Sequence, residues 1–190
     1  MAKRQRDKII RLSYGAILSA LSVVLLMVGG VLELLDMTSA MLASIAVLVS
    51  AIEFGVGHAL LVYSVSSCLS LIFMPTSSAS WYYVLVIGYF PALHAYLERK
   101  VMSPLLRYAA KALAFNVGVT AALLAFVKLY GLSQLLLEFS LFAERPAVTL
   151  VIIYALLNVF LAAYNVFLPR VKILYIYFFH RRGKAKKIFK

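Results

Sequence analysis

From Leu12 to Leu32 the chain carries no charged side chain, and stretches of the same kind recur along it until Pro169. A run of about 20 apolar residues is what one helix needs to cross a bilayer. With 64% hydrophobic and only 14% charged residues, the chain is far from the composition of soluble domains, roughly 45–50% apolar and 25% charged. Lipid satisfies no backbone donor or acceptor, so such segments must be helices or a closed barrel. Continuous apolar runs, without strict alternation, select helices. The fold class expected is an all-α integral membrane protein of about six transmembrane helices, one transmembrane domain over 1–190 with basic tails at about 1–11 and 170–190.

The expected spans are Leu12 to Leu32, Met37 to Ile52, Phe54 to Met74, Trp81 to Leu97, Lys111 to Lys128 and Pro146 to about Leu168. The second is short, about 24 Å at 1.5 Å per residue against a hydrocarbon core of about 30 Å. Glu53, Gly55, Gly57 and His58 lie at the reversal that follows it. Pro75 to Ser80 reads as a turn, Trp81, Tyr82 and Tyr83 as interfacial rings, and Glu98, Arg99, Lys100 and Pro104 as a loop. Pro146 suits a helix start, and Pro169 is expected to end that helix. Leu132 to Phe142 and the tail from Arg170 to Lys190 are amphipathic and suit the membrane surface.

The formal charge of +12 suggests nucleic acid at first sight, but its distribution argues otherwise. All 19 Lys and Arg except Lys128 and Arg145 fall in three groups that the six-helix topology puts on one side: Lys3 to Arg11, Arg99 to Lys111 and Arg170 to Lys190. Short basic loops stay cytoplasmic, so both termini are expected in the cytoplasm of a multi-pass protein of the cell membrane. The partner expected for this charge is anionic lipid and not nucleic acid. The basic start before an apolar run resembles a signal peptide, but the run is longer than a signal core and no clear cleavage pattern follows it.

Cys68 stands alone in an apolar run and reads as a small packing residue. HExxH, GxSxG and GxxxxGK[ST] are all absent from the sequence. His58, His94 and His180 are dispersed. The expectation is therefore a non-enzymatic protein with no metal and no cofactor.

Three constellations remain. Gly15, Ala16, Ser19, Ala20 and Ser22 make the first helix rich in small residues, and Ala16 and Ala20, one turn apart, suit close approach of another helix, within the protein or from a partner. Glu53 and His58 are ionisable groups at the second reversal, either hydrated at an interface or buried and functional. Glu33, Asp36, Trp81, Tyr82, Tyr83, Tyr154 and Asn158, with Glu138 and Glu144, fall toward the outer side. They are the candidate contacts of a small-molecule ligand, with an interfacial belt and a helix–helix hydrogen bond as the plainer reading. Asn158 shares a helix face with Tyr154, and Asn116 in the fifth span has the same ambiguity.

The length, the six-helix topology and the run Ala16-Ile17-Leu18-Ser19-Ala20, preceded by Arg11 and Ser13, together resemble the substrate-binding S components of energy-coupling factor transporters. In that family an AxxxA pattern on the first helix docks on a coupling transmembrane subunit that works with ATPases. The resemblance implies capture of a vitamin-like molecule from outside and docking through Ala16 and Ala20. No subfamily signature identifies the vitamin. A membrane scaffold in cell-envelope or cell-shape assembly is the alternative, with the same alanines facing another partner. A polar cavity opening to the outer face favours the importer subunit, and dense Leu and Phe packing there favours the scaffold.

Overall fold

The computed structural model describes residues 2–32, 35–100, 103–131 and 146–180. All regular structure among them is helical: α1 (Ala2–Leu32), α2 (Asp36–Glu53), α3 (Val56–Phe73), α4 (Ser78–Tyr82) running into a π-helical turn (Tyr83–Ile87), α5 (Phe90–Lys100), α6 (Pro104–Tyr130) and α7 (Pro146–Tyr175), whose last turn is again π-helical (Ile176–His180). Five of these helices are long and apolar enough to cross a membrane, within α1, α2, α3, α6 and α7. That is the architecture of a multi-pass membrane protein.

The fourth expected span, Trp81 to Leu97, is a correction. It is not one continuous helix but α4, a π turn and α5 around Gly88 and Tyr89. Pro91 has no N–H to donate to the carbonyl four residues back, at Ile87, and its ring crowds that carbonyl, so the regular ladder cannot pass. The π turn closes just before it, through a Gly88 N–H to Tyr83 carbonyl bond of 2.7 Å. The interrupted segment still belongs inside the bundle, because Tyr83, Val86, Ile87 and Phe90 are all buried.

Three smaller boundaries also move. Pro104, expected in a loop, opens α6, where the missing N–H costs nothing. Glu98, Arg99 and Lys100 form the last turn of α5. Pro169, expected as a stop, lies inside α7, which continues to Tyr175. A helical proline removes one bond without ending the helix when the surroundings hold both halves. The stretch 132–145, including the amphipathic Leu132 to Phe142, and the tail from 181 onward lie outside the described residues.

The core is built on close approach. On α1, Gly15, Leu18, Ser19, Ser22, Val23, Leu26 and Gly29 are buried; their spacing by three and four gives one stripe facing α2 and α3. Small side chains let backbones near one another where lipid offers no hydrophobic drive. Ser22 donates to the Leu18 carbonyl at 3.0 Å on its own helix and lies 3.1 Å from the Ala43 carbonyl of α2. Ser19 reaches the Val62 carbonyl of α3 at 3.3 Å. The α2–α3 reversal is tight because Gly55 takes φ of +91°, a region that a Cβ disfavours.

Candidate functional site

The reversal between α2 and α3 joins the starts and ends of four helices. His58 Nδ1 lies 2.7 Å from Ser50 Oγ, and its Nε2 lies 2.9 Å from the Arg11 carbonyl. The ring also packs on Phe54, over which the Arg11 guanidinium sits at 5.8 Å. The Glu53 carboxylate accepts a bond from the Tyr175 hydroxyl at 2.9 Å. Both candidate ionisable groups thus tie α1, α2, α3 and α7 together at one end of the bundle.

The same end holds a charged cluster that spacing along the sequence only half reveals. On α5, His94 and Glu98 stand one turn apart, with Nε2 to Oε1 at 3.2 Å. From α7, Lys172 Nζ donates to the other carboxylate oxygen at 2.9 Å. From α6, the buried Lys111 donates to Asn165 Oδ1 on α7 at 2.9 Å. Asn165 is the residue whose backbone carbonyl loses its i+4 donor to Pro169. Burial alone raises the Glu98 carboxyl, but the Lys172 bond and the neighbouring cations outweigh it and hold the group below its ordinary value. His94 and Glu98 could have been paired from their i,i+4 spacing. Lys111 and Lys172 could not, since helix association brings them in.

Beside this cluster lies a cavity of about 290 Å³, between Leu48, Ala51 and Ile52 of α2, His94, Ala95, Glu98 and Arg99 of α5, and Lys172 of α7.

The residues expected at an outer ligand site are distributed among different helix pairs. Trp81 donates its indole N–H to the Pro75 carbonyl at 2.8 Å. Tyr83, fully buried, exchanges a bond of 2.7 Å with Ser66 of α3. Tyr82 is on the exposed side of α4. Asp36 opens α2, where its backbone carbonyl accepts from Ser39. On α7, Asn158 and Asn116 of α6 exchange amide bonds of 3.0 and 3.2 Å, and Tyr154 lies 2.7 Å from the Thr120 hydroxyl. Glu33, Glu138 and Glu144 lie outside the described residues.

On α1 the structure separates two adjacent small-residue stripes. Gly15 and Ser19 face the core, and a Cβ at Gly15 would come within 2.9 Å of His58. Ala16 and Ala20 are exposed. Around them the large side chains of Leu12, Ile17, Leu21 and Val24 are exposed as well.

No protein-family model, curated protein or solved structure matches this chain.

Proposed function

We propose that the chain is a non-enzymatic membrane subunit that docks through the outer stripe of α1 on a helix of a larger assembly, as the substrate-binding subunit of an energy-coupling factor type importer of a vitamin-like molecule. The observation that carries this is the exposure of Ala16 and Ala20 on a surface whose neighbours are large and apolar. Two small residues one turn apart make a notch into which another helix fits closely. The chain's own packing uses the adjacent stripe, Gly15 and Ser19, and leaves this one unspent. In this reading the charged end and both termini are cytoplasmic, in keeping with the basic bias of the segments there.

Leucine at both Ala16 and Ala20 is expected to abolish copurification of a coupling subunit and its ATPases from the native membrane while leaving the melting temperature of the purified chain unchanged. A fall in melting temperature of the order seen for core substitutions would place the stripe inside the fold and remove the docking reading. Orientation is checked by impermeant thiol labelling of intact cells with Lys3→Cys or Lys100→Cys in a Cys68→Ser background. Neither site is expected to label before permeabilisation.

The scaffold reading has its own support: Trp81, Tyr83, Tyr154 and Asn158 are each bonded within the protein, so these groups serve packing first. Titration of Trp81 fluorescence with neutral and cationic ring-containing solutes separates the two. Saturable quenching is expected of an importer subunit, and its absence at millimolar solute in folded protein favours the scaffold.

A further inference from the structure

The cavity between α2, α5 and α7 combines features that packing does not require. Its apolar wall is Leu48, Ala51 and Ile52, and its polar wall is His94, Glu98, Arg99 and Lys172. A volume of about 290 Å³ has room for many times the share of one water in the liquid, about 30 Å³. His94 is 3% exposed, and neither of its ring nitrogens has a hydrogen-bond partner among the described residues. A buried ring nitrogen left so is costly unless something else meets it. Glu98 does not meet Nδ1: it approaches the ring on the other side, where Nε2 lies 3.2 Å from Oε1, and its second oxygen accepts from Lys172 Nζ.

The charge around this space is one-sided. Arg99 and Lys172 line the cavity with Glu98, and Lys111 lies close enough to act on both His94 and Glu98; the nearby Glu53 carboxylate is engaged by the Tyr175 hydroxyl. Arg99 is exposed and presents a planar set of donors, a shape that matches phosphate oxygens two at a time. The cavity sits toward the last turns of α2 and α5, and with α2 crossing the membrane that is the level where headgroup meets hydrocarbon.

We propose that this cavity is a binding site for an anionic phosphate group, held by Arg99 and Lys172 with a P–OH or neighbouring hydroxyl of the same ligand on His94 Nδ1. The chemistry is shared by a phospholipid headgroup and by a soluble phosphate ester. The site is separate from the α1 stripe and does not depend on the importer reading.

The test uses the full chain in phosphatidylcholine nanodiscs, with inorganic phosphate titrated by calorimetry in one arm. In the other, phosphatidylglycerol is doped into the discs and bound lipid is counted by native mass spectrometry. Saturable one-to-one binding is expected in at least one arm, phosphate alone identifying a soluble ester and phosphatidylglycerol alone a lipid headgroup. Removing one charge-assisted contact by Arg99→Gln is expected to weaken it about tenfold or more. Lys100→Gln, the adjacent exposed cation that does not line the cavity, is expected to change it less than about twofold. His94→Gln, checked for unchanged melting, is expected to weaken it as well. No saturable binding in either arm, or equal weakening by Arg99→Gln and Lys100→Gln, overturns the proposal, since the second pattern is that of diffuse surface charge.

Discussion

The α1–α2 pair and the α6–α7 pair solve helix association in opposite ways. In the apolar windows of α1 and α2, 39% and 50% of residues are buried, against 22% and 17% in α6 and α7. The first pair meets through Gly and Ser, whose hydroxyls bond to carbonyls nearby and add little bulk. The second pair stands further apart and is bridged by long polar side chains. Read along the antiparallel pair, Thr120 meets Tyr154, Asn116 meets Asn158 and Lys111 meets Asn165. Without a hydrophobic drive between helices, attraction comes either from close van der Waals approach or from hydrogen bonds across the gap. This chain uses one device in each region, so the two regions should fail differently when mutated.

The largest effect is expected where there is no space at all. A Cβ at Gly29 would overlap the Ser39 side chain of α2. Gly29→Leu is therefore expected to force α1 and α2 apart and cost about 3 kcal/mol or more. Thermal melting of the purified protein reads this, and a melting temperature within about 2 °C of the parent would mean that the close approach contributes little, since about 1 kcal/mol moves a domain of this size by 2–4 °C.

In the α6–α7 pair the expected losses are smaller. Asn116→Leu removes the reciprocal amide pair, but Asn158 Nδ2 keeps its own-helix acceptor, the Tyr154 carbonyl at 2.8 Å. Hydrogen bonds between membrane helices average about 0.6 kcal/mol, with about 1.7 as the upper end. The double-mutant cycle of Asn116→Leu with Asn158→Leu is expected to give a coupling in that range. A coupling near zero would show that each amide serves only its own helix, and that the ladder does not hold the pair.

How much of this could be read beforehand divides along the same physical line. The membrane helices were legible because each is a long window without charge, and local composition decides that. The break at Gly88 and Tyr89 is not legible from an apolar count over Trp81 to Leu97, which says nothing about the N–H that Pro91 lacks. Pro169 misled the other way: proline disfavours a helix locally, yet α7 is held on both sides of it, through Tyr164 to Ser44 at 2.6 Å and Lys172 to Glu98 at 2.9 Å. On α1 the small residues were visible, but which of two adjacent stripes faces inward was not. A one-residue step turns a helix by about 100°, and only the neighbours decide the choice. The cavity cluster was hidden for the same reason, since α5, α6 and α7 bring its charges together from positions far apart in the chain.

The smallest expected effect sharpens the contrast between bridging in the apolar layer and bridging at its edge. Glu98 faces His94 on its own helix, Lys172 of α7 and Lys111 of α6, with Arg99 beside it, while α2 contributes only Leu48, Ala51 and Ile52 to this wall. Its carboxyl is held below the ordinary 4.5 of a glutamate. A group whose folded value is lowered stabilises the fold above its unfolded value and loses that contribution as pH falls through the folded one. Stability should therefore be level from neutral pH down to about 4.5 as far as Glu98 is concerned, and decline below it. The pair is partly exposed, so the contribution belongs at the scale of a surface ion pair, about 0.5 kcal/mol. Melting followed from pH 6 to pH 3 is expected to show a shallower acid decline in Glu98→Gln than in the parent. Acid loss that persists unchanged in that variant would show that the Lys172–Glu98 bridge adds nothing that water did not already supply.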